Sequence, residues 1–442
     1  MKRHLDDLFE LLSIPSVSAD PAHKADVQRA AEWLKAKLEA IGFAAEMVPT
    51  DGHPIVYAER IVDPKAPTVL VYGHYDVQPP DPLELWETPP FEPTVRDGKL
   101  YARGASDDKG QFYAHIAAVS DLGADLPVNV KFVIEGEEEI GSPNLVPFVR
   151  AHAARLAADA VVISDSPMFA PGLPTLTYAL RGLAYLEVQI EGAARDMHSG
   201  AYGGAVPNPV HAAAWMIAKL KDEDGRILIP GFYDKVRPLS QGERLMWREL
   251  PFDEAEFARS VGVEATPGEP GYSVLERRWA RPTLDVNGIW GGYQGEGAKT
   301  VIPARAGFKF SMRLVPDQDP EEVYAMTERY LQEIAPEGYR VRILRHHGGR
   351  PVLVLIDSPP MQAAARALEA AWGRKTVFTR EGGSIPIVAE FQDLLGAPVV
   401  MMGFGLNDDN LHAPNEKLDL VNFEKAVEAS RNFLRILPEH LG

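Results

Sequence analysis

PVNVKFVIEGEEEIGS, residues 127–142, runs from an apolar segment straight into three adjacent carboxylates, Glu137, Glu138 and Glu139. The apolar part alternates and then becomes continuous, the pattern of a strand buried in a sheet. Like charges crowded against an apolar wall repel one another and resist desolvation. A chain that builds this junction needs something positive beside it.

Working outward, the same arrangement recurs. TVLVYG (68–73) is a β-branched run followed by His74-Tyr75-Asp76. DAVVIS (159–164) is followed by Asp165, and APVVMMGFG by the loop that holds His412. Asp107-Asp108-Lys109-Gly110 opens the helical stretch KGQFYAHIAAVSDLG. Helical spacing in ADVQRAAEWLKAKLEAIG (Val27, Ala30, Trp33, Leu34, Leu38, Ile41) and in PNLVPFVRAHAARLA completes an alternation of strands and helices. This predicts a three-layer α/β domain with a mostly parallel central sheet. Ligands of such sheets sit just past the carboxyl ends of the strands. Each polar cluster alone reads as a solvated loop; five of them converging on one sheet edge read as a site.

After about residue 176 the pattern changes. YALRGLAYLEVQIEG and ARAGFKFSMRLVP read as strands with one exposed face, VPNPVHAAAWMIAKLK and EEVYAMTERYLQEIA as helices, and RVRILRHH as a closing strand. The stretch from about 225 to 300 is rich in Pro and Gly and reads as irregular. From about 352 the α/β pattern resumes with SPPMQAAARALEAAWG and ends in a long helix from Val421. The expected organisation is a discontinuous catalytic domain, 1–176 and 353–442, interrupted by an inserted α+β dimerisation or lid domain, 177–352.

Composition narrows the chemistry. The 442 residues include 63 Asp plus Glu against 45 Lys plus Arg, a formal charge of −18. Such a surface repels phosphate backbones and anionic lipid, so neither nucleic acid nor a membrane is expected as a partner. Cysteine is absent, which excludes disulfides, thiolate catalysis and thiolate zinc sites. Asp6, Asp7 and Glu10 make MKRHLDDLFELLSIPS an amphipathic helix rather than a signal peptide, and a cytoplasmic location is expected. Two His and several carboxylates without sulfur suit Zn²⁺ or Mn²⁺. The alternative of nucleotide binding at GFGLND (403–408) has only a lone G-x-G behind it.

Seven segments together resemble a known family. HYDVQPP, ARGASDDKG, EGEEEIGS, RDMHSG, AKTVIPARAGFKFSMRLVPD, REGGSIP and NDDNLHAPNEK occur in the order found in the cocatalytic-metal aminoacylase/carboxypeptidase family, nearest its carnosinase and cytosolic non-specific dipeptidase branch. The resemblance implies that His74, Asp107 and Asp165 hold one metal, that Asp107, Glu139 and His412 hold the other, and that Asp107 bridges them. It implies two divalent ions per subunit, Zn²⁺ or Mn²⁺, with Co²⁺ also accepted. Asp76 matches the carboxylate that orients His74. Glu138 matches the general base acting on the water shared by the metals. Glu137 matches no role and is expected to point to solvent.

In the inserted domain, His198 matches the donor to the developing oxyanion, supplied in this family by the partner of a homodimer. Arg313 matches the residue that grips the substrate carboxylate, and Thr300, His347, Gly383 and Ser384 match further substrate contacts. A cis peptide is implied between Asp107 and Asp108. The expected activity is hydrolysis of dipeptides or small amides. The alternatives are an N-acyl-amino-acid deacylase, desuccinylase or carboxypeptidase of the same family, and a non-catalytic metal- or peptide-binding relative.

Overall fold

The structure, a computed structural model, describes residues 1–383 and 385–441. It divides into two compact units: Met1–Tyr178 with Val354–Thr379 and Ile387–Gly442, and Ala179–Leu353 with Arg380–Pro386.

The first unit is built on one mixed sheet. Its centre is four parallel strands in the order Asn129–Glu135, Thr68–His74, Ala160–Ile163, Val399–Met401. Val71 lies opposite both Phe132 and Val162, and Val400 opposite Val162. Every residue of 129–135 and 160–163 is buried, which is why these strands read as continuous apolar runs. Antiparallel strands extend the sheet: Ile55–Arg60 and Ala44–Val48 beyond one edge, Thr175–Leu180 beyond the other. Helix Lys24–Ala40 packs on the first two of these, Lys109–Leu122 on the 68–74 strand, and Pro359–Trp372 on the 399–401 strand. The final helix, Leu420–Leu441, packs against both Pro359–Trp372 and Lys109–Leu122. Lys109–Leu122 is therefore buried almost all round, and the loops leaving the parallel strands gather at one sheet edge.

The second unit has a four-stranded antiparallel sheet in the order Thr283–Gly291, Arg305–Leu314, Gly182–Glu191, Arg340–Gly349. Ala184, Leu186, Val188 and Ile190 alternate inward along the 182–191 strand and meet Phe308, Phe310 and Met312 of its neighbour. Helices Pro209–Ala218 and Pro320–Ile334 pack on this sheet. Each begins with Pro after a side-chain cap, Asn208 accepting from Val210 N and Asp319 from Glu321 N.

Two expectations change. The stretch from 225 to 300 holds three short helices, Gln241–Arg248, Glu254–Ser260 and Val274–Trp279, before the 283–291 strand. Two of them are started by reciprocal capping, Ser240 with Glu243 and Ser273 with Glu276, a spacing visible in the sequence but hidden among its Pro and Gly. Residues 380–386, expected in the catalytic domain, belong to the second unit. Arg181 Nε donates to Gly382 O (3.1 Å), Arg181 N to Glu381 O (3.3 Å), and Arg380 pairs with Glu243. Among the described residues no helix is long and apolar enough to cross a membrane.

Candidate metal centre

Five side chains that the sequence scatters over more than three hundred positions converge in the first unit. His74 is the last residue of the 68–74 strand, and Asp165 lies two residues beyond the 160–163 strand, beside it in the sheet. Asp107 precedes helix Lys109–Leu122, with a cis peptide between Asp107 and Asp108. Glu139 sits in the turn Glu138–Ile140 that follows the 129–135 strand, closed by Gly141 at φ 90°. His412 comes from the loop after 399–401.

Asp107 stands at the centre. Its Oδ1 is 3.1 Å from His74 Nε2, and its Oδ2 is 2.8 Å from His412 Nε2. Asp165 Oδ2 lies 4.0 Å from His74 Nε2, and Glu139 Oε2 lies 3.3 Å from His412 Nε2. The ligand atoms of His74, Asp107 and Asp165 all fall within 4.8 Å of one another, and so do those of Asp107, Glu139 and His412. One carboxylate thus belongs to two three-residue groups.

Asp76 holds this arrangement from behind. His74 Nδ1 is 3.0 Å from Asp76 O and 3.4 Å from its Oδ1, which leaves Nε2 turned toward the cluster. The same carboxylate accepts Glu138 N (3.2 Å) and Glu139 N (3.1 Å), so the strand end carrying His74 and the turn carrying the two Glu are tied through one side chain. Gln78 Nε2 donates to Glu139 Oε2 at 2.8 Å.

The electrostatics ask for cations. Five carboxylates, Asp76, Asp107, Glu138, Glu139 and Asp165, share the space with two imidazoles. Burial, reinforced by the charge of Asp107, pushes Glu139 up to about 8 and Asp165 up to about 7. Burial also raises Glu138. Burial alone would depress His74, but its hydrogen bonds to Asp107 and Asp76 carry it well above the usual imidazole range. The bond to Asp107 raises His412 to about 9. Asp107 itself, despite burial, is held below the ordinary carboxylate range by the two imidazoles. Protons would have to neutralise this cluster; divalent cations do so with the lone pairs already converging. The all-oxygen-and-nitrogen donor set fits such ions.

The opening stretch resolves differently from expectation at one residue. Glu137 is 4% exposed rather than turned to solvent. Its Oε1 accepts His53 N (3.1 Å) and its Oε2 accepts Asn144 Nδ2 (2.7 Å). Nearby Glu135, pushed up to about 8 by burial, accepts from Tyr72 Oη (2.6 Å) and Ser142 Oγ (2.8 Å). Glu135 and Glu137 therefore hold the turn while Glu138 and Glu139 are left to the cluster. A buried structural Glu and a solvated one look alike in sequence, because the N–H groups that satisfy it come from elsewhere in the chain.

The second unit carries the remaining candidates. His198 is exposed; its Nδ1 accepts Gly200 N at 3.0 Å. It pairs with Val301 in a short antiparallel ladder, and Ser199 N donates to Thr300 O at 3.0 Å, which brings His198 and Thr300 together. Arg313 is half-buried on the 305–314 strand between Thr283 and Leu183, and burial lowers its basicity. His347 is exposed, its ring 5.7 Å from Tyr185 edge-on. Gly383 is exposed, and Ser384 lies outside the described residues.

The pattern of peptidase family M20/M25/M40 matches residues 70–436, and the chain belongs to that family. It is similar to the Cys-Gly metallodipeptidase dug1 of Schizosaccharomyces pombe, 34% identical with 97% of each chain covered. It is similar also to the Beta-Ala-His dipeptidase of Homo sapiens, 35% identical over 96% of this chain and 84% of the other. Among solved structures it resembles an M20 family metallo-carboxypeptidase from Sulfolobus solfataricus, with a TM-score of 0.89, 35% identity and 99% and 100% of the two chains covered.

Proposed function

We propose that this chain is a dinuclear-metal dipeptidase that hydrolyses the amide bond of dipeptides with a free carboxylate. The observation that carries the reading is the sharing of Asp107 between two three-residue groups, one oxygen toward each imidazole. His74, Asp107 and Asp165 would hold one cation, and Asp107, Glu139 and His412 the other, as Zn²⁺ or Mn²⁺, with Co²⁺ acceptable to the same donors. When bound, such ions polarise a carbonyl and make water acidic enough to attack it at neutral pH.

The chain's own residues do the rest. Glu138, raised by burial and free of the tasks that occupy Glu135 and Glu137, takes the proton of the attacking water and returns it to the leaving amine. Asp76 keeps the His74 ring oriented. His198 donates to the developing oxyanion. Arg313 grips the substrate carboxylate, with Thr300, His347, Gly383 and Ser384 as further contacts.

The proposal includes a cytoplasmic homodimer formed through the second unit, with His198 acting on the partner's site. The 283–291 strand is an edge of its sheet and exposes Ile289 (62%), while the neighbouring helix Pro209–Ala218 exposes Trp215 (54%). An unpaired edge beside an exposed Trp suits a second copy of the chain.

The metallo-carboxypeptidase likeness favours one other reading, removal of the last residue from longer or N-blocked peptides. Turnover by the Zn²⁺- or Mn²⁺-loaded protein of Ala-Ala and Gly-Leu, against N-acetyl and N-succinyl amino acids and tripeptides, separates the two. Cleavage confined to the blocked or longer substrates overturns the dipeptidase reading.

A further inference from the structure

Two buried carboxylates on the His412 loop are members of neither candidate cation group. Glu416 is wholly buried, and each of its oxygens accepts twice. Oε1 takes Ser106 N (2.9 Å) and Asp107 N (3.0 Å); Oε2 takes Arg103 Nη1 (2.7 Å) and Gly104 N (2.9 Å). Asp409 works beside it, its Oδ2 accepting Ser106 Oγ (2.8 Å) and Leu406 N (2.7 Å), its Oδ1 accepting Lys417 Nζ (2.6 Å). The loop that delivers His412 therefore grips, by its own carboxylates, the segment that delivers Asp107.

That grip has something to oppose. Asn410, His412 and Asn415 all lie in the left-handed region, at φ 56°, 60° and 61°. Asn adopts this region readily, so the cost falls chiefly on His412, which stays there only where its surroundings over-determine it. The other three-residue group is placed differently. His74 ends one parallel strand and Asp165 follows the next, and the pairing of the two strands, Tyr72 opposite Ile163, sets their separation without the loop.

We propose that Glu416 is a positioning residue: it sets the placement of Asp107 relative to His412, and through it chiefly the affinity of the Asp107–Glu139–His412 group for its cation, while sheet pairing fixes His74 and Asp165, two of the three members of the other group. The inference rests on the two-cation reading above. A carboxylate is needed because four donors face two oxygens; an amide would turn N–H against N–H.

The test is Zn²⁺ titration by calorimetry of the wild type and Glu416→Gln, with anomalous diffraction at one and two equivalents to read occupancy at each position. Expected is a loss of tenfold or more in affinity at the His412 position, with the His74 position changed less than threefold. Equal weakening at both positions, or none, overturns the inference. If the wild type itself binds no Zn²⁺, the two-cation reading fails and this inference with it; two ions bound equally by wild type and variant sink the inference alone. Should Glu416→Gln not fold by circular dichroism, Asp409→Asn is measured in its place, where the same unequal loss supports the proposal and an equal loss overturns it. Glu416→Asp, which keeps the charge but shortens the reach, is expected to recover affinity only in part, as a placement role requires and a purely electrostatic one does not.

Discussion

Asp107 Oδ2 and His412 Nε2 lie 2.8 Å apart although 305 positions separate them in the chain. His74 takes the other oxygen of the same carboxylate at 3.1 Å. A carboxylate shared in this way between two imidazoles, with four more acids around it, is built to bring two positive charges close together.

Removing cations should loosen the first unit. A ligand that binds only the folded state stabilises it by about 2.7 kcal/mol at a hundred times its Kd. Exhaustive chelation is expected to lower the melting temperature and abolish turnover, with both regained on adding Zn²⁺ or Mn²⁺. A melting temperature unmoved by chelation and re-addition would count against a cation in this cluster.

Glu138→Gln keeps the shape of the side chain and removes its basicity. Proton transfer by a positioned group is worth about 10²–10⁴-fold in rate. A fall in kcat of that order is expected with metal content, read by atomic emission, unchanged. A variant that turns over normally would remove Glu138 from the mechanism.

If His198 acts on the partner's site, two dead variants should rescue each other. Mixed and refolded in equal amounts, Glu138→Gln and His198→Ala are expected to regain about a quarter of wild-type activity through dimers with one complete site. No recovery in a mixture shown by sedimentation to contain dimers would mean that His198 works within its own chain or not at all.

Gly52 sits against Glu137. A Cβ built there would lie 1.8 Å from Glu137 Oε1 and 3.0 Å from Asn144 Nδ2. Gly52→Ala should displace the buried carboxylate and cost about 1–3 kcal/mol, the range for overpacking, as read by urea denaturation. Wild-type stability in the variant would show that Glu137 is not held as described.

His115, which is not among the five candidate ligands, provides a pH handle. It is buried, its Nε2 is 2.7 Å from Ser164 Oγ, and burial pushes it down to about 3. The unfolded chain protonates this ring near pH 6.5. Between those values the unfolded state binds the extra proton, so its contribution to stability is intact above about 6.5 and is lost as pH falls toward 3, by about 1.4 kcal/mol per unit. Denaturation of His115→Asn from pH 7 to 4 should show a shallower loss than wild type; parallel curves would contradict the assignment.

Much of this was readable from local pattern. Continuous apolar runs marked the buried parallel strands, and alternation marked the 182–191 strand, because burial on two faces or one leaves that trace in the order of residues. Parallel strands end on one side of their sheet, so the residues just past them, His74, the Glu run, Asp165 and His412, were candidates before any contact was known. The sequence by itself thus determined the buried strands and the residues that follow them, though not the three short helices between 241 and 279.

Only the tertiary structure decided what each acid does there. Glu137 and Glu416 carry the same charge as Glu138 and Glu139, yet the first two are consumed by N–H donors from His53 and from Gly104, Ser106 and Asp107. It also assigned residues 380–386 to the second unit through Arg181 and Glu243. Hydropathy and spacing are properties of neighbours along the chain, whereas a buried carboxylate's role is set by whichever donors chain closure brings to it, here from segments up to some three hundred positions away.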